Sequence, residues 1–525
     1  MRRALTRFVT LLLVVALVGA ASAQEQATKR GGVVQIPLAT QPATFNPILP
    51  SELAAAIINW TMFSPLTAVN PWTNTLEPYL AEAFEANDDL TVWTFHLRSG
   101  VKWHDGAPFT AEDVKFTFDR ARDPDEGATN AADFAKVVAV DVIDPLTVNV
   151  TLAAPDAFFA ARLALGGNEI IPQHILGGYD LLADAVDFNS KSPIGTGPFK
   201  MVRAVPGSFF ELTRNEDFFL GEPNLDGLVF RVVPDGNTRV TQLLTGQLDW
   251  VDIEPPQLPA VSKVKHVQIT TFDSLGYQIF AWNFKNPLFQ DTRVLEAMMY
   301  AVDRRSMIAT VSPGLGYVDD VYIPHSIDWV PRPDVQFREY DPEHALALMT
   351  EAGWTKNAQG ILEKDGVEFA FSILVDRGDV QREQMGLILQ QYFQDLGMRV
   401  EYVLAERGGR WLEETTARTF DTRLAAFPMP NIDWAQRLYT TNGPYNSQSY
   451  SNAEVDALFT QVLGTIDQSK QAALLEQIGE QLYNDPPNMI LLFRERMTAS
   501  NANIGNIPPN NIKDAMPYSY LLFRR

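Results

Sequence analysis

Bulky and polar side chains alternate through Val92-Trp93-Thr94-Phe95-His96-Leu97, which predicts a half-buried strand. Ser99-Gly100 turns the chain, Val101-Lys102-Trp103 begins a second short strand, and His104-Asp105-Gly106 turns it again. The period then changes. Val114, Phe118 and Ala121 share one face at helical spacing, Thr110 stands at the N-cap, and Glu112 and Asp113 favour the positive end of the helix.

The same reading extends along the chain. Gly32–Leu38 is a strand, 51–70 a helix and then a turn, and Lys136–Leu152 a hairpin about Asp144-Pro145. Two strands, Phe199–Val205 and Phe209–Arg214, are joined by Pro206-Gly207. Leu228–Val233 is an apolar buried strand, followed by a helix capped by Asn237 and running through Leu244. A helix runs from Asp291 through Ile308, and another starts at Asp341-Pro342 and ends at Gly353. Strand Phe369–Val375, helix Asp379–Leu396 and strand Met398–Leu404 make a βαβ unit with parallel pairing. Helices over Asn452–Leu463 and Gln468–Tyr483 precede an apolar strand, Met489–Phe493. Mixed α+β architecture follows, with no internal repeat or low-complexity segment.

Composition narrows the function. The 525 residues are enough for roughly three domains, and 46% hydrophobic content supports large cores. Lys and Arg total 42 against 64 Asp and Glu, a formal charge of −22, which argues against nucleic acid and anionic lipid as partners. The chain has no cysteine, so disulfides, thiolate metal sites, a Cys nucleophile and a lipidated N-terminal Cys are excluded. Residues 1–23 have the three parts of a secretory signal: Arg2, Arg3 and Arg7, the apolar run Phe8–Ala20, and Ala21-Ser22-Ala23 for cleavage before Gln24. Losing those three arginines takes the charge from −22 to −25. The expected location is the periplasm.

Catalytic chemistry is not visible. His104-Asp105 has the residue types of an acid/base pair, but no third partner is nearby, and the structural reading is a turn. Gly195 and Gly197 in Pro193-Ile194-Gly195-Thr196-Gly197-Pro198-Phe199 are followed by a strand rather than a helix, and mark a crossover, not a phosphate loop. The six histidines (His96, His104, His174, His266, His325 and His344) form no metal-spaced pair, and no cofactor or metal is expected. There is no G-x-S-x-G elbow, Walker loop or complete G-x-G-x-x-G. Ten tryptophans and fifteen tyrosines suit either a stacking cleft or large cores.

The run Trp93–Gly106 followed by Thr110-Ala111-Glu112-Asp113-Val114 resembles, over a long gapless stretch, the signature of family 5 solute-binding proteins of ABC importers. Leu76–Glu82, the Gly195-Thr196-Gly197-Pro198-Phe199 segment, Asn215–Phe219, Phe280-Ala281-Trp282-Asn283 and Ala301-Val302-Asp303-Arg304 are similar to further segments of that family. The resemblance implies a non-catalytic, two-lobed periplasmic-binding-protein fold (type II, cluster C). Lobe I would comprise 24–52, 190–275 and 494–525, with a subdomain of 53–189 attached, and lobe II 276–493. A peptide-like or other small solute would bind between lobes that close about a hinge. A monomer would deliver it to inner-membrane permease subunits and their ATPases. A secreted hydrolase, or a binding protein serving as a chemoreceptor or chaperone adaptor, is the alternative.

The resemblance also bears on the ligand. Peptide-binding members carry an aspartate for the peptide ammonium in a stretch that corresponds to Ala426–Trp434. Here Phe427 takes the tryptophan place and Pro430 the place of that aspartate, with Asp433 at the second aspartate place. Proline offers no charge or acceptor, and an unpartnered buried ammonium costs several kcal/mol. The expectation is a ligand other than a free-amine peptide: an oligosaccharide stacked on Phe427, Trp434 or Tyr277, a modified peptide, or an opine. In the alternative register Asp433 or Asp421 is the anchor. Phe45, in the loop after the first strand, is read either as a ring that stacks on ligand or as a buried loop anchor.

Overall fold

The computed structural model describes residues 30–50, 52–181, 184–429, 432–509 and 512–525. The signal segment, its cleavage point before Gln24, and Pro430 lie outside the described residues. The chain divides into two compact units, one of residues up to 154, 159–271 and 497–525, the other of 155–158 and 272–496.

The first unit holds two four-stranded sheets. In one, Val33–Leu38 pairs in parallel with Gly227–Val232, which continues antiparallel into Phe209–Arg214 and then Phe199–Val205. Its core collects Phe45, Ile58, Phe199, Phe210, Phe230 and Trp250. In the other, Ala81–Ala86, Val92–Leu97, Thr147–Leu152 and Val137–Asp144 are antiparallel neighbours. The expected alternation is met: Trp93, Phe95 and Leu97 are buried, with Val148, Val150 and the helix residues Val114 and Phe118 in the same core. Val101–Trp103 forms no strand; a single bridge, Lys102 to Pro108, closes the turn.

His104 and Asp105 part company in this turn. Gly195 N–H donates to His104 Nδ1 at 3.2 Å, and His104 Nε2 lies 3.0 Å from Gly197 O. The imidazole thus pins the glycine crossover, and burial lowers its pKa to about 4. Asp105 instead accepts from Ala107 N–H and from His174. The two glycines are required by close approach: a Cβ on Gly195 would lie 1.9 Å from Met62 O, and one on Gly197 2.5 Å from Met62 C.

In the second unit, strands lie in the order 488–496, 272–282, Thr422–Pro428, Ala370–Asp376 and Arg399–Ala405. The last two pair in parallel across helix Val380–Leu396, the βαβ unit expected. Two cores result. Phe280, Trp282, Met298, Phe371, Phe393 and Leu424 belong to one, Tyr277, Ile279, Ala425, Phe427 and Tyr439 to the other. Two helix boundaries differ from expectation. Asp235, not Asn237, caps the helix Gly236–Leu244, accepting from Thr238 N–H at 2.7 Å. The run from Asp291 breaks into Thr292–Tyr300 and Arg304–Val311, because Asp303 accepts from Ser306 N–H and starts a second helix.

Candidate functional site

A cavity of about 590 Å³ opens within the second unit, of the size that holds a small solute. Its back wall is the strand Thr422–Pro428. Period-two alternation sends Leu424 to one core and Arg423, Ala425 and Phe427 to the opposite face. Antiparallel pairing of Tyr277 with Phe427 and Ile279 with Ala425 fixes the register. A side wall comes from Arg407–Ala417, where Gly408-Gly409 allows a kink, with Gly409 at φ −112° and ψ −124°. Trp411, Thr415 and Thr416 face the cavity from it, and Trp434, Leu438, Pro444, Tyr445 and Ser447 close the other side.

Two kinds of group dominate the lining. Trp434 and Tyr445 stack at 5.6 Å with 26° between planes, and Phe427 meets both at 6.4 and 6.2 Å. Arg382, Arg407, Arg418 and Arg423 supply guanidiniums, and among the described residues no Asp or Glu lines the cavity. Arg382 is engaged on every side: by Asp376, by Asp379 at 3.0 Å, and by Gln278 Oε1 at 3.1 Å. Arg407 is mostly exposed, its Nε 3.9 Å from Asp376.

Arg423 differs. It is 7% exposed, lies 5.4 Å from the ring centres of both Trp411 and Phe420, and donates from Nη2 to Ser447 Oγ at 2.6 Å. Its Nε has no hydrogen-bond partner, nor does Trp411 Nε1. Burial lowers its pKa to about 10, with the Asp376 charge opposing and Arg382 adding to the shift, so the guanidinium stays charged at neutral pH.

Of the residues expected from the sequence, Phe427 and Trp434 line the cavity. Tyr277 does not. It is 1% exposed behind Phe427, at 5.9 Å, and its hydroxyl lies 2.9 Å from that of Tyr439. Asp433 is buried just ahead of helix Trp434–Tyr439 and is not in the lining. Phe45 belongs to the first unit, where its ring packs edge-on against Phe210 at 5.4 Å as a loop anchor. Asp421 is turned to structure, accepting from Ser372 and Asn286. Sequence reasoning missed Arg423, Trp411 and Tyr445. A lone arginine in the apolar run Thr422–Pro428, in step with Ala425 and Phe427, was the available signal.

Every residue of this lining falls within 75–449, the stretch that matches the bacterial extracellular solute-binding proteins, family 5 Middle. The chain belongs to this family. It is similar to the oligopeptide-binding protein AppA of Bacillus subtilis (strain 168), with 30% identity over 498 residues, 92% of this chain and 90% of that one. The structure of that AppA in complex with a nonapeptide superposes with a TM-score of 0.78 at 26% identity, covering 95% of this chain and 99% of the other. NikZ from Campylobacter jejuni, in complex with Ni(L-His), matches with a TM-score of 0.78 at 25% identity over 94% and 99% of the two chains. The fold is therefore the two-lobed one of family 5 binding proteins. Among the described residues no cluster of three His, Cys, Asp or Glu suits a metal ion, and no helix is long and apolar enough to cross a membrane.

Proposed function

We propose that this extracellular solute-binding protein is the capture component of an ABC importer, taking a peptide-like or other small solute without chemical turnover. The observation that carries the reading is the cavity of about 590 Å³ with aromatic walls, built wholly from the family-matching stretch. AppA's nonapeptide supports a peptide-like cargo. The acid-free lining supports a cargo other than a free-amine peptide, such as a modified peptide, an opine or an oligosaccharide stacked on Phe427 and Trp434. The protein acts in the periplasm as a monomer, after cleavage before Gln24, and its partners are inner-membrane permease subunits. Lobes I and II with the 53–189 subdomain are the proposed division of labour.

Mass spectrometry of solutes released from natively purified, then denatured protein tests the capture. A stoichiometric small solute is expected, and its return unaltered after incubation with fresh protein. Conversion of that solute would overturn the non-catalytic reading. N-terminal sequencing of the periplasmic fraction should start at Gln24; intact Met1 there would rule out processing.

A further inference from the structure

The cavity wall has the opposite charge character to the chain. The protein carries −22, yet four arginines and no described acid line this one concavity. Three of the four have ordinary reasons to be there. Arg382 is held by two carboxylates, Arg407 is mostly in water, and Arg418 ends the helix Leu412–Ala417 in the left-handed conformation, at φ 56°. Arg423 has no such reason. A buried guanidinium normally has a carboxylate facing it, because desolvating the charge costs several kcal/mol. Here its hydrogen bond goes to a neutral hydroxyl, two aromatic rings flank it, and its Nε is unpartnered.

We propose that the captured solute carries an oxyanion and that Arg423 binds it. This deepens the solute-binding reading and rests on it. The donors are the Arg423 guanidinium and the Ser447 hydroxyl, with the buried and unpartnered Arg423 Nε and Trp411 Nε1 reached as the solute settles against them. The Ser447 oxygen already accepts from Arg423 Nη2, so its own proton is free to be given to the solute. Trp411 Nε1 has no acceptor within the protein. An oxyanion's acceptors fit a guanidinium edge with adjacent N–H groups. The rest of the solute lies against Phe427 and the stacked Trp434–Tyr445 pair. A solute whose only charge is an ammonium finds no acid on this wall and is repelled by it. The class selected is thus an acidic small molecule with an apolar or planar body, its oxyanion a carboxylate or a phosphate.

The test uses solutes released by acidified methanol from natively purified wild-type protein. They are split on an anion exchanger at pH 7 into retained and unretained fractions. Each is titrated, by tryptophan fluorescence and native mass spectrometry, into solute-stripped wild type, Arg423→Gln and Arg423→Lys. The retained fraction should bind wild type, and bind Arg423→Gln about 10- to 100-fold more weakly, the range for losing one charge-assisted contact. Arg423→Lys, which keeps the charge but not the planar edge, should fall between, and it carries the test alone if the glutamine variant does not fold. Methyl esterification should abolish binding if the oxyanion is a carboxylate, and alkaline phosphatase if it is a phosphate. Rebinding by the unretained fraction, or equal binding of the retained fraction to all three proteins, overturns the inference and leaves solute capture standing. Binding of neither fraction to wild type defeats solute capture itself, and this inference with it.

Discussion

Arg304 and Arg423 sit in the same unit and are both almost wholly buried, yet their surroundings differ in kind. Arg304 meets Asp320 at 2.6 Å, donates to the carbonyls of Ile490 and Arg338, and lies over Phe337 at 4.4 Å. Asp320 also accepts from the backbone N–H of Arg338 at 2.7 Å, and the Arg338 guanidinium stacks on Tyr483 at 3.8 Å. Both arginines leave Nε unpartnered, so that feature alone distinguishes nothing. The distinction is the carboxylate. Around Arg304 the fold supplies its own anion, and the charge is answered within the chain although Asp320 and Phe337 also line a small cavity of about 240 Å³. Around Arg423 the fold supplies rings, a hydroxyl and a cavity; the Asp376 charge acts on it only from beyond ion-pair distance, and a directly bonded anion has to come from outside. A buried charge completed within the chain is architecture; one left incomplete beside a cavity is a binding determinant.

The largest effect tests the answered side. Asp320→Asn keeps the shape and removes the charge that answers Arg304, stranding a buried guanidinium. Breaking a buried pair this way costs about 3–5 kcal/mol, and equilibrium urea unfolding should show that loss. A loss below about 1 kcal/mol would mean that Asp320 does not complete the cluster, and the contrast would fail.

The open side gives a smaller effect of opposite sign. Ser447→Asp places a carboxylate where the hydroxyl now accepts from Arg423 Nη2. A charge-assisted contact exceeds a neutral one by about 1–2 kcal/mol, so the variant should be more stable by about that amount. It should also lose tenfold or more in affinity for the anionic solute fraction, because the site is already filled. Thermal melting and titration check the two halves together. Arg423→Met should change stability by no more than about 1 kcal/mol, since no carboxylate pairs with it directly and Asp376, which acts on it at longer range, keeps Arg382 as its partner. A loss as large as that of Asp320→Asn would place Arg423 in the architecture instead.

This contrast explains what was legible in the sequence. Local rules wrote much of the fold plainly: the Trp93, Phe95, Leu97 alternation, the βαβ unit around Val380–Leu396, and the hairpins at Asp144-Pro145 and Pro206-Gly207 are all present. Helix caps were less legible, because Asp235 and Asp303 compete with neighbours that look equally suitable. The site was half legible. Phe427 and Trp434 came from a stretch resembling the family's ligand segment, and both line the cavity. Tyr277 and Asp433 came with them but are buried and outside the lining: Tyr277 shares the sheet face of Phe427 yet is covered by Phe427, Phe493 and Tyr439, which only tertiary packing decides. Trp411, Arg423 and Ser447 are 12 to 36 residues apart in the chain and meet only through tertiary packing, which no local pattern records.

The smallest effect concerns a pair that belongs to neither side. Arg305 reaches Glu339 through two contacts at 2.9 and 3.1 Å, but the two side chains are 60% and 64% exposed. Their hydrogen bond raises the arginine pKa, which shows attraction, yet water screens most of it. Glu339→Gln should therefore cost only about 0.2–0.5 kcal/mol. Salt separates it from the buried cluster. At 1 M NaCl the Debye length falls to about 3 Å, so the Glu339→Gln difference should vanish while the Asp320→Asn difference persists. If the two respond alike to salt, the Arg304 cluster is reached by ions, and its claim to be internal architecture fails with it.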